Sequence, residues 1–308
     1  MDQLILHHYP QSPVSEKVRV GLGIKNIAWK SVEIPRIPPK PDLMPLTGGY
    51  RRTPVLQSGA EVYCDSHCIL REIERRFPEP SYYQGSNEGL VWALAAWTDS
   101  GLFDLAVKLV LGGAVDQLPA DFADDRGRLY FGPSWDLKAF QLDQPHLAAQ
   151  LRGQLAHLDQ LLAAGQSFVL GDRPGLADAL TYYLVWFLRG RWQPGPDLLA
   201  GFPRIEAWEV RVQALGHGRP SEMTSATALE IARDAEPTTP ASVDPADPQG
   251  LQPGQEVTVE PDGDGGDPAV TGRLHVLEKH SVAILRSDER IGRVCVHFPR
   301  VGYRVSAI

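Results

Sequence analysis

The sequence predicts three units in succession: an α/β domain, an all-α helical bundle and a small all-β C-terminal domain. Three observations carry that prediction. LILHHYP, VSEKVRVGLGIKN and AWKSVEI pass from a short apolar strand to helical spacing and back to a strand, a βαβ unit. From about Asn87 to Asp234 apolar residues recur at helical spacing throughout. Beyond an acidic, proline-rich stretch, short alternating or β-branched runs are split by Asp-Gly, Gly-Gly and Pro, as in a small barrel or sandwich.

In the first helix Val14, Val18, Val20 and Leu22 alternate with Glu16, Lys17 and Arg19. IPRIPPKPDLMPLTGGYRR is too rich in proline and glycine to be regular, and a loop of that length inside a compact domain is more often functional than idle. TPVLQSGAEVYCDSHCILREIERRF gives two strands about a turn at Ser58-Gly59, then a helix opening near Asp65-Ser66. The order βαβ then ββα suggests a small mixed sheet with helices packed on it. Four long helical stretches follow, several apolar most of the way round, as buried helices are. DAEPTTPASVDPADPQGLQPG has almost no large apolar residue and reads as a linker. The expected bounds are 1–82 for the α/β domain, 87–234 for the helical domain, 235–250 for the linker and 251–308 for a β-barrel-like unit.

With 43% apolar and 22% charged residues, the 308-residue chain has the composition of a soluble globular protein. No run approaches the roughly 18 apolar residues of a membrane span. Met1-Asp2-Gln3 offers no basic start to a secretory signal. Three cysteines do not make a disulfide framework and suit a reducing compartment, so the expectation is cytoplasmic. A net charge of -8 disfavours nucleic acid or anionic membrane as a partner.

The chemistry begins at QSPVS. Ser12 stands between the first strand and the first helix, beside unpaired N–H groups and the positive end of the helix dipole. One reading is a helix cap, with Pro13 at the favoured first position. The other is an anion site in which the Ser12 hydroxyl and backbone donors hold a thiolate, with Ser15, one turn on, as the second candidate. Asp65 and Ser66 open a helix and suit capping. Arg51 and Arg52 read as a solvated pair or as a carboxylate grip, and Pro54 as an ordinary strand opener. Gly175 and Asp178 make half a capping box, which leaves Asp178 structural. Cys64, His67 and Cys68 match no zinc spacing and read as idle, so no metal is expected. His7 and His8 alternate faces on a strand and cannot share one site. Trp92, Trp97, Phe103, Tyr182, Tyr183 and Trp186 read mostly as core.

SPVSEKVR after a first strand, RRTPVL leading a third and YCDSHCIL opening a helix together resemble the glutathione transferase family, over about residues 4 to 232. The resemblance implies a thioredoxin-like N-terminal domain, an all-helical second domain, and glutathione as co-substrate without a metal. The local pattern is closest to the omega-like and zeta-like classes. By the resemblance Ser12 is the catalytic residue on the glutathione sulfur, and Pro54 is cis. Val55 then pairs its backbone with the cysteinyl part, Asp65 and Ser66 bind the γ-glutamyl end, and Arg52 takes the glycyl carboxylate. It further implies a homodimer, a detoxification role, and a small apolar electrophile bound between the two domains. Serine forms no mixed disulfide, which favours conjugation over reductase chemistry. A glutathione-dependent isomerase or lyase and a non-catalytic binding protein on the same fold are the alternatives. The proline-rich loop from Pro35 to Tyr50 and the C-terminal β unit depart from the common two-domain plan.

Overall fold

The computed structural model describes residues 3–83, 87–263 and 266–308. Met1 and Asp2 of the N-terminal stretch read above, and residues 264 and 265 of the Asp-Gly and Gly-Gly turn stretch, lie outside the described residues.

In chain order the first elements are β1 (Ile5–His8), α1 (Pro13–Lys25), β2 (Ala28–Glu33), α2 (Met44–Thr47), β3 (Val55–Ser58), β4 (Glu61–Cys64) and α3 (Ser66–Arg76). The helical stretch holds α4 (Glu88–Trp97), α5 (Phe103–Gly113), α6 (Ala120–Phe131), α7 (Leu137–Leu142), α8 (Gln144–Leu161), α9 (Leu176–Arg191), α10 (Gly195–Leu199) and α11 (Pro203–Ala214). The remainder is β5 (Arg219–Glu222), α12 (Ser225–Arg233), β6 (Ser242–Val243), β7 (Glu256–Pro261), β8 (Val270–Leu277), β9 (Ser281–Asp288), β10 (Gly292–Pro299) and β11 (Tyr303–Ala307). The chain divides into two compact units: Met1–Ser15, Ala28–Ile73 and Arg219–Ile308 form the first, Glu16–Ile27 and Glu74–Gly218 the second.

The first unit is built on one sheet, eleven-stranded among the described residues, in the order β11-β7-β8-β9-β10-β4-β3-β1-β2-β5, with β6 beside β8. β1 runs parallel to β2 and antiparallel to β3, and β3 antiparallel to β4, the expected βαβ and ββ pairings. The C-terminal strands β7 to β11 form the all-β region that the sequence predicts, and they continue the same sheet. β10 lies parallel to β4, with Cys295 opposite Glu61 and His297 opposite Tyr63, so β4 has a neighbour on each side. An unpaired β4 would be an open edge, and β10 removes that edge. Ile5, Val32, Leu46 and Val62 share a core with Val257, Ile284, Phe298 and Val305, so these strands bury one common apolar face. The expected linker contributes β6 and hydrogen-bonds the sheet: the Thr238 and Thr239 N–H groups donate to Glu61 Oε1 at 2.6 and 2.7 Å.

The proline-rich loop is held by polar groups invisible to composition. Buried Lys40 donates to the Arg51 carbonyl and the Thr53 hydroxyl, both at 2.9 Å. Arg286 donates to the Pro45 carbonyl, and Arg290 to the Pro41 carbonyl and Asp42, both at 2.8 Å. Gly48 closes α2 at φ 74, and a Cβ there would stand 2.6 Å from Arg286 Nε, so conformation and space both require glycine.

In the second unit α9 is buried along most of its length. Asp178 accepts the Gly175 and Val169 N–H groups at 2.9 Å each and the Trp208 indole N–H at 2.8 Å. The acid half of the box therefore forms without a hydroxyl at Gly175 and doubles as a tertiary anchor. Gly23 is fixed by a close approach, since a Cβ would lie 1.9 Å from the Gly216 carbonyl oxygen. A π-helical turn, Thr98–Leu102, joins α4 to α5 and holds Asp99, which accepts Lys17 Nζ at 2.6 Å and the Tyr183 hydroxyl at 2.7 Å. Of the six aromatics assigned to the core, Tyr182 and Tyr183 are buried and Trp92, Trp97, Phe103 and Trp186 are half-buried. The run Glu88–Gly113, at a mean hydropathy of 1.3, is long and apolar enough to cross a membrane by length and composition alone, although no such run was expected. Core helices meet the same test, and the 18-residue window that passes it is 33% buried.

Candidate functional site

Strand register brings the expected site residues to one end of the first unit. His7 near the end of β1 faces Val55 at the start of β3, and Val55 faces Cys64 at the end of β4. Three connections therefore emerge together: the one after β1 carries Ser12, the one before β3 carries Arg52 and Pro54, and the one after β4 carries Asp65 and Ser66. The Thr53–Pro54 peptide bond is cis.

Ser12 precedes the first residue of α1. Its Oγ accepts the Ser15 N–H at 3.1 Å, which is a cap, and its own O–H proton remains available to a further acceptor. Ser15 is fully buried, and its hydroxyl has no hydrogen-bond partner. The start of α1 thus combines a positive dipole end with two buried hydroxyls, one capping and one unsatisfied.

Asp65 sits at φ 76, in the left-handed region that aspartate enters more readily than most residues. Its Oδ1 accepts the His67 N–H at 2.8 Å, which caps α3, and Ser66 is buried as the first helical residue. Its Oδ2 lies 3.2 Å from the hydroxyl of Tyr303, the first residue of β11, and that hydroxyl is also 3.2 Å from Tyr50 Oη. Burial foremost, then the Asp65 charge, pushes both phenols well above their ordinary range, so they stay protonated donors.

Arg52, its side chain 34% exposed, is tied to a buried acid. Asp267, from the segment before β8, accepts Arg51 Nε at 2.9 Å through one oxygen, and Arg52 Nε at 2.6 Å and Nη2 at 2.5 Å through the other. The Asp267 side chain is 2% exposed. Burial pulls the Arg52 guanidinium down, but the Asp267 charge, then Tyr50 and Tyr303, outweigh it and raise it overall.

The remaining candidates are structural in their contacts. His7 Nε2 meets Gln57 at 2.9 Å, and burial brings its ring down to about 4, so it is neutral at pH 7. His8 Nε2 meets the Ser31 hydroxyl at 2.9 Å. Cys64 and Cys68 are buried free thiols that burial pushes well up, and neither is a thiolate at neutral pH.

Sequence reasoning missed a cluster at the join between β4 and β10, where Glu61, Cys295 and His297 bring three potential metal donors within 4.8 Å of one another. His297 Nε2 lies 2.6 Å from Glu61 Oε2, while Oε1 accepts the Thr238 and Thr239 N–H groups. Burial alone would raise the Glu61 carboxyl, but these partners outweigh it and bring it to about 2. With both oxygens committed and Cys295 pushed up by burial and then by the Glu61 charge, the cluster has the chemistry of a polar latch. One signal was present in the sequence: Cys295 and His297 stand two apart on a strand and so share a face.

Comparison with known proteins agrees with this architecture. The family model described as glutathione S-transferase, N-terminal domain, matches residues 6–81, and that described as glutathione S-transferase, C-terminal domain, matches residues 114–210. No curated protein matches the chain. Among solved structures, a GST-like protein from Pseudomonas syringae is 37% identical over 100% of both chains, with a TM-score of 0.78. Glutathione transferase F7 from Populus trichocarpa is 18% identical over 68% of this chain and 93% of its own, with a TM-score of 0.52, and shares the fold. An apo glutathione S-transferase III is 22% identical over 69% and 92%, also at 0.52. The last two cover 68% and 69% of this chain, whereas the Pseudomonas protein spans the whole of it, and on that full-length likeness, with the two family models, the chain belongs to the glutathione S-transferase family.

Proposed function

We propose that this protein is a glutathione S-transferase in which Ser12 and the start of α1 stabilise the glutathione thiolate for attack on an apolar electrophile. The observation that carries the reading is the pair of buried hydroxyls at that helix start, Ser12 with a proton to donate and Ser15 without a partner. A thiol with an ordinary pKa near 8.5 is only a few per cent ionised at neutral pH. Lowering it by about two units takes about 2.7 kcal/mol of preferential stabilisation of the anion, within reach of a charge-assisted hydrogen bond and a helix dipole together. The thiolate lone pair then forms the carbon–sulfur bond as the leaving group departs with its electron pair. Val55, first in β3 after the cis bond, is assigned the cysteinyl backbone, Asp65 and Ser66 the γ-glutamyl end, and Arg52 the glycyl end.

The test is calorimetric titration of the full chain and of Ser12→Ala with glutathione, with the bound thiol's ionisation followed against pH. Saturable binding to both proteins is expected, with the thiol pKa about two units higher in the variant and turnover of a generic aryl halide down about tenfold to a hundredfold. Absence of binding by the intact chain would overturn the reading, and unchanged turnover in Ser12→Ala would remove Ser12 from the chemistry.

A further inference from the structure

Asp267 already fills the position from which Arg52 would hold a ligand's terminal carboxylate. Its two oxygens are shared between Arg51 and Arg52, each with an Nε–H donor, and it is almost wholly shielded from solvent. A ligand carboxylate arriving at Arg52 would have to displace this internal one or share with it guanidinium donors that Asp267 already takes. A second observation points the same way. A cavity of about 410 Å³ beside Asp267 is walled, among the described residues, by Glu260, Asp262, Asp267 and Arg304, three acids to one base, and Arg304 is itself 3.1 Å from Asp262. Such a wall accepts hydrogen bonds and disfavours anions.

We propose that Asp267 determines ligand choice at this site: it stands in for the ligand's own terminal carboxylate, so the site takes a γ-glutamyl thiol whose far end is neutral, an amide or ester, in preference to free glutathione. The proposal rests on the glutathione transferase reading above and deepens it by naming the class of thiol. The far end of such a ligand offers an amide N–H or an ester alkyl group to the acidic wall, and the Arg51–Asp267–Arg52 arrangement stays intact. Asp267 acts on selectivity and takes no part in the bond-making step.

The test uses the full chain and two probes, glutathione and its glycyl amide, titrated calorimetrically into wild-type protein and Asp267→Asn. Wild type is expected to bind the amide at least as tightly as the free acid, and Asp267→Asn to gain about tenfold for the acid with little change for the amide. The wild-type ratio decides the matter even if the variant folds poorly. Tighter binding of the free acid than of the amide by wild type would overturn the proposal and leave the transferase reading standing. If neither probe binds either protein, the transferase reading falls and the proposal with it.

Discussion

The two ends of the candidate site are assembled in opposite ways. At the Ser12 end everything is local: the Ser12 cap bonds a residue three positions on, and the hydroxyl without a partner belongs to that same residue. At the Arg52 and Asp65 end the decisive partners come from far along the chain. Asp267 meets Arg51 and Arg52 across 216 and 215 positions, and Tyr303 meets Asp65 across 238. A locally built end exists as soon as α1 forms, whereas the distant end exists only once the C-terminal strands have joined the sheet. The locally built end is therefore expected to survive perturbations of the strand join that dismantle the other.

The largest expected effect is at that join. Glu61→Ala leaves buried His297, and the N–H groups of exposed Thr238 and half-buried Thr239, without their acceptor. A loss of about 3–5 kcal/mol in unfolding free energy is expected, the range for breaking a buried pair from one side. Denaturant unfolding measures it. A loss below about 1 kcal/mol, as for an exposed pair, would mean that β10 is held to β4 by apolar contacts alone and that the contrast between the two ends is overstated.

Acid separates the two ends by pH window. His7, near the local end, has its ring brought down from 6.5 to about 4 by burial, so the unfolded chain takes up the proton first and stability falls as pH drops through that interval. The full effect is on the order of 3 kcal/mol. Glu61, at the distant join, has its carboxyl lowered from 4.5 to about 2, so its contribution is present above 4.5 and is lost between 4.5 and 2. Stability curves of His7→Gln and Glu61→Gln are expected to flatten in the first and second windows respectively. If either variant flattens the other's window, the assignment of the two groups is wrong.

A smaller effect is expected at the cap. Ser12→Ala removes one acceptor for the Ser15 N–H and is expected to cost about 1 kcal/mol of stability, whatever it does to the thiol. Unchanged affinity of that variant for an S-methylated glutathione that carries no thiol would show that the two ends are independent.

The same contrast explains what was legible in the sequence. SPVSEKVR, RRTPVL and YCDSHCIL each lie in one element and its neighbour, so turn chemistry, caps and helical spacing disclose them. The cis bond at Pro54 and the burial of Ser66 fit that reading. The partners of Arg52 were not legible, because Asp267 sits in a stretch of Asp, Gly and Pro that says only turn. Its position opposite the two arginines depends on β10 lying beside β4 and on the strand order beyond it. Lys40 was hidden likewise within a proline-rich loop whose composition gives no sign of the Arg51 and Thr53 contacts. Alternation told that β7 to β11 were strands, and nothing local told which edge they would extend.

The finest test of the comparison is Tyr303→Phe. The phenol oxygen lies 3.2 Å from both Asp65 Oδ2 and Tyr50 Oη, at the long end of hydrogen-bonding distance, and the ring packs against Tyr50 and Phe298, contacts that phenylalanine keeps. Loss of the hydroxyl is therefore expected to cost about 0.5–1 kcal/mol, the lower part of the range for one hydrogen bond. Asp65 retains the His67 N–H, so α3 should start where it does now. With Oδ2 released, Asp65 should hold a γ-glutamyl ammonium more tightly, so thiol binding should strengthen slightly as stability falls. Opposite signs in those two measurements would place Tyr303 as a competitor for Asp65 supplied by the C-terminal strands. A loss in both would instead make Tyr303 a support that the locally built part of the site requires, and the division between the two ends would no longer hold.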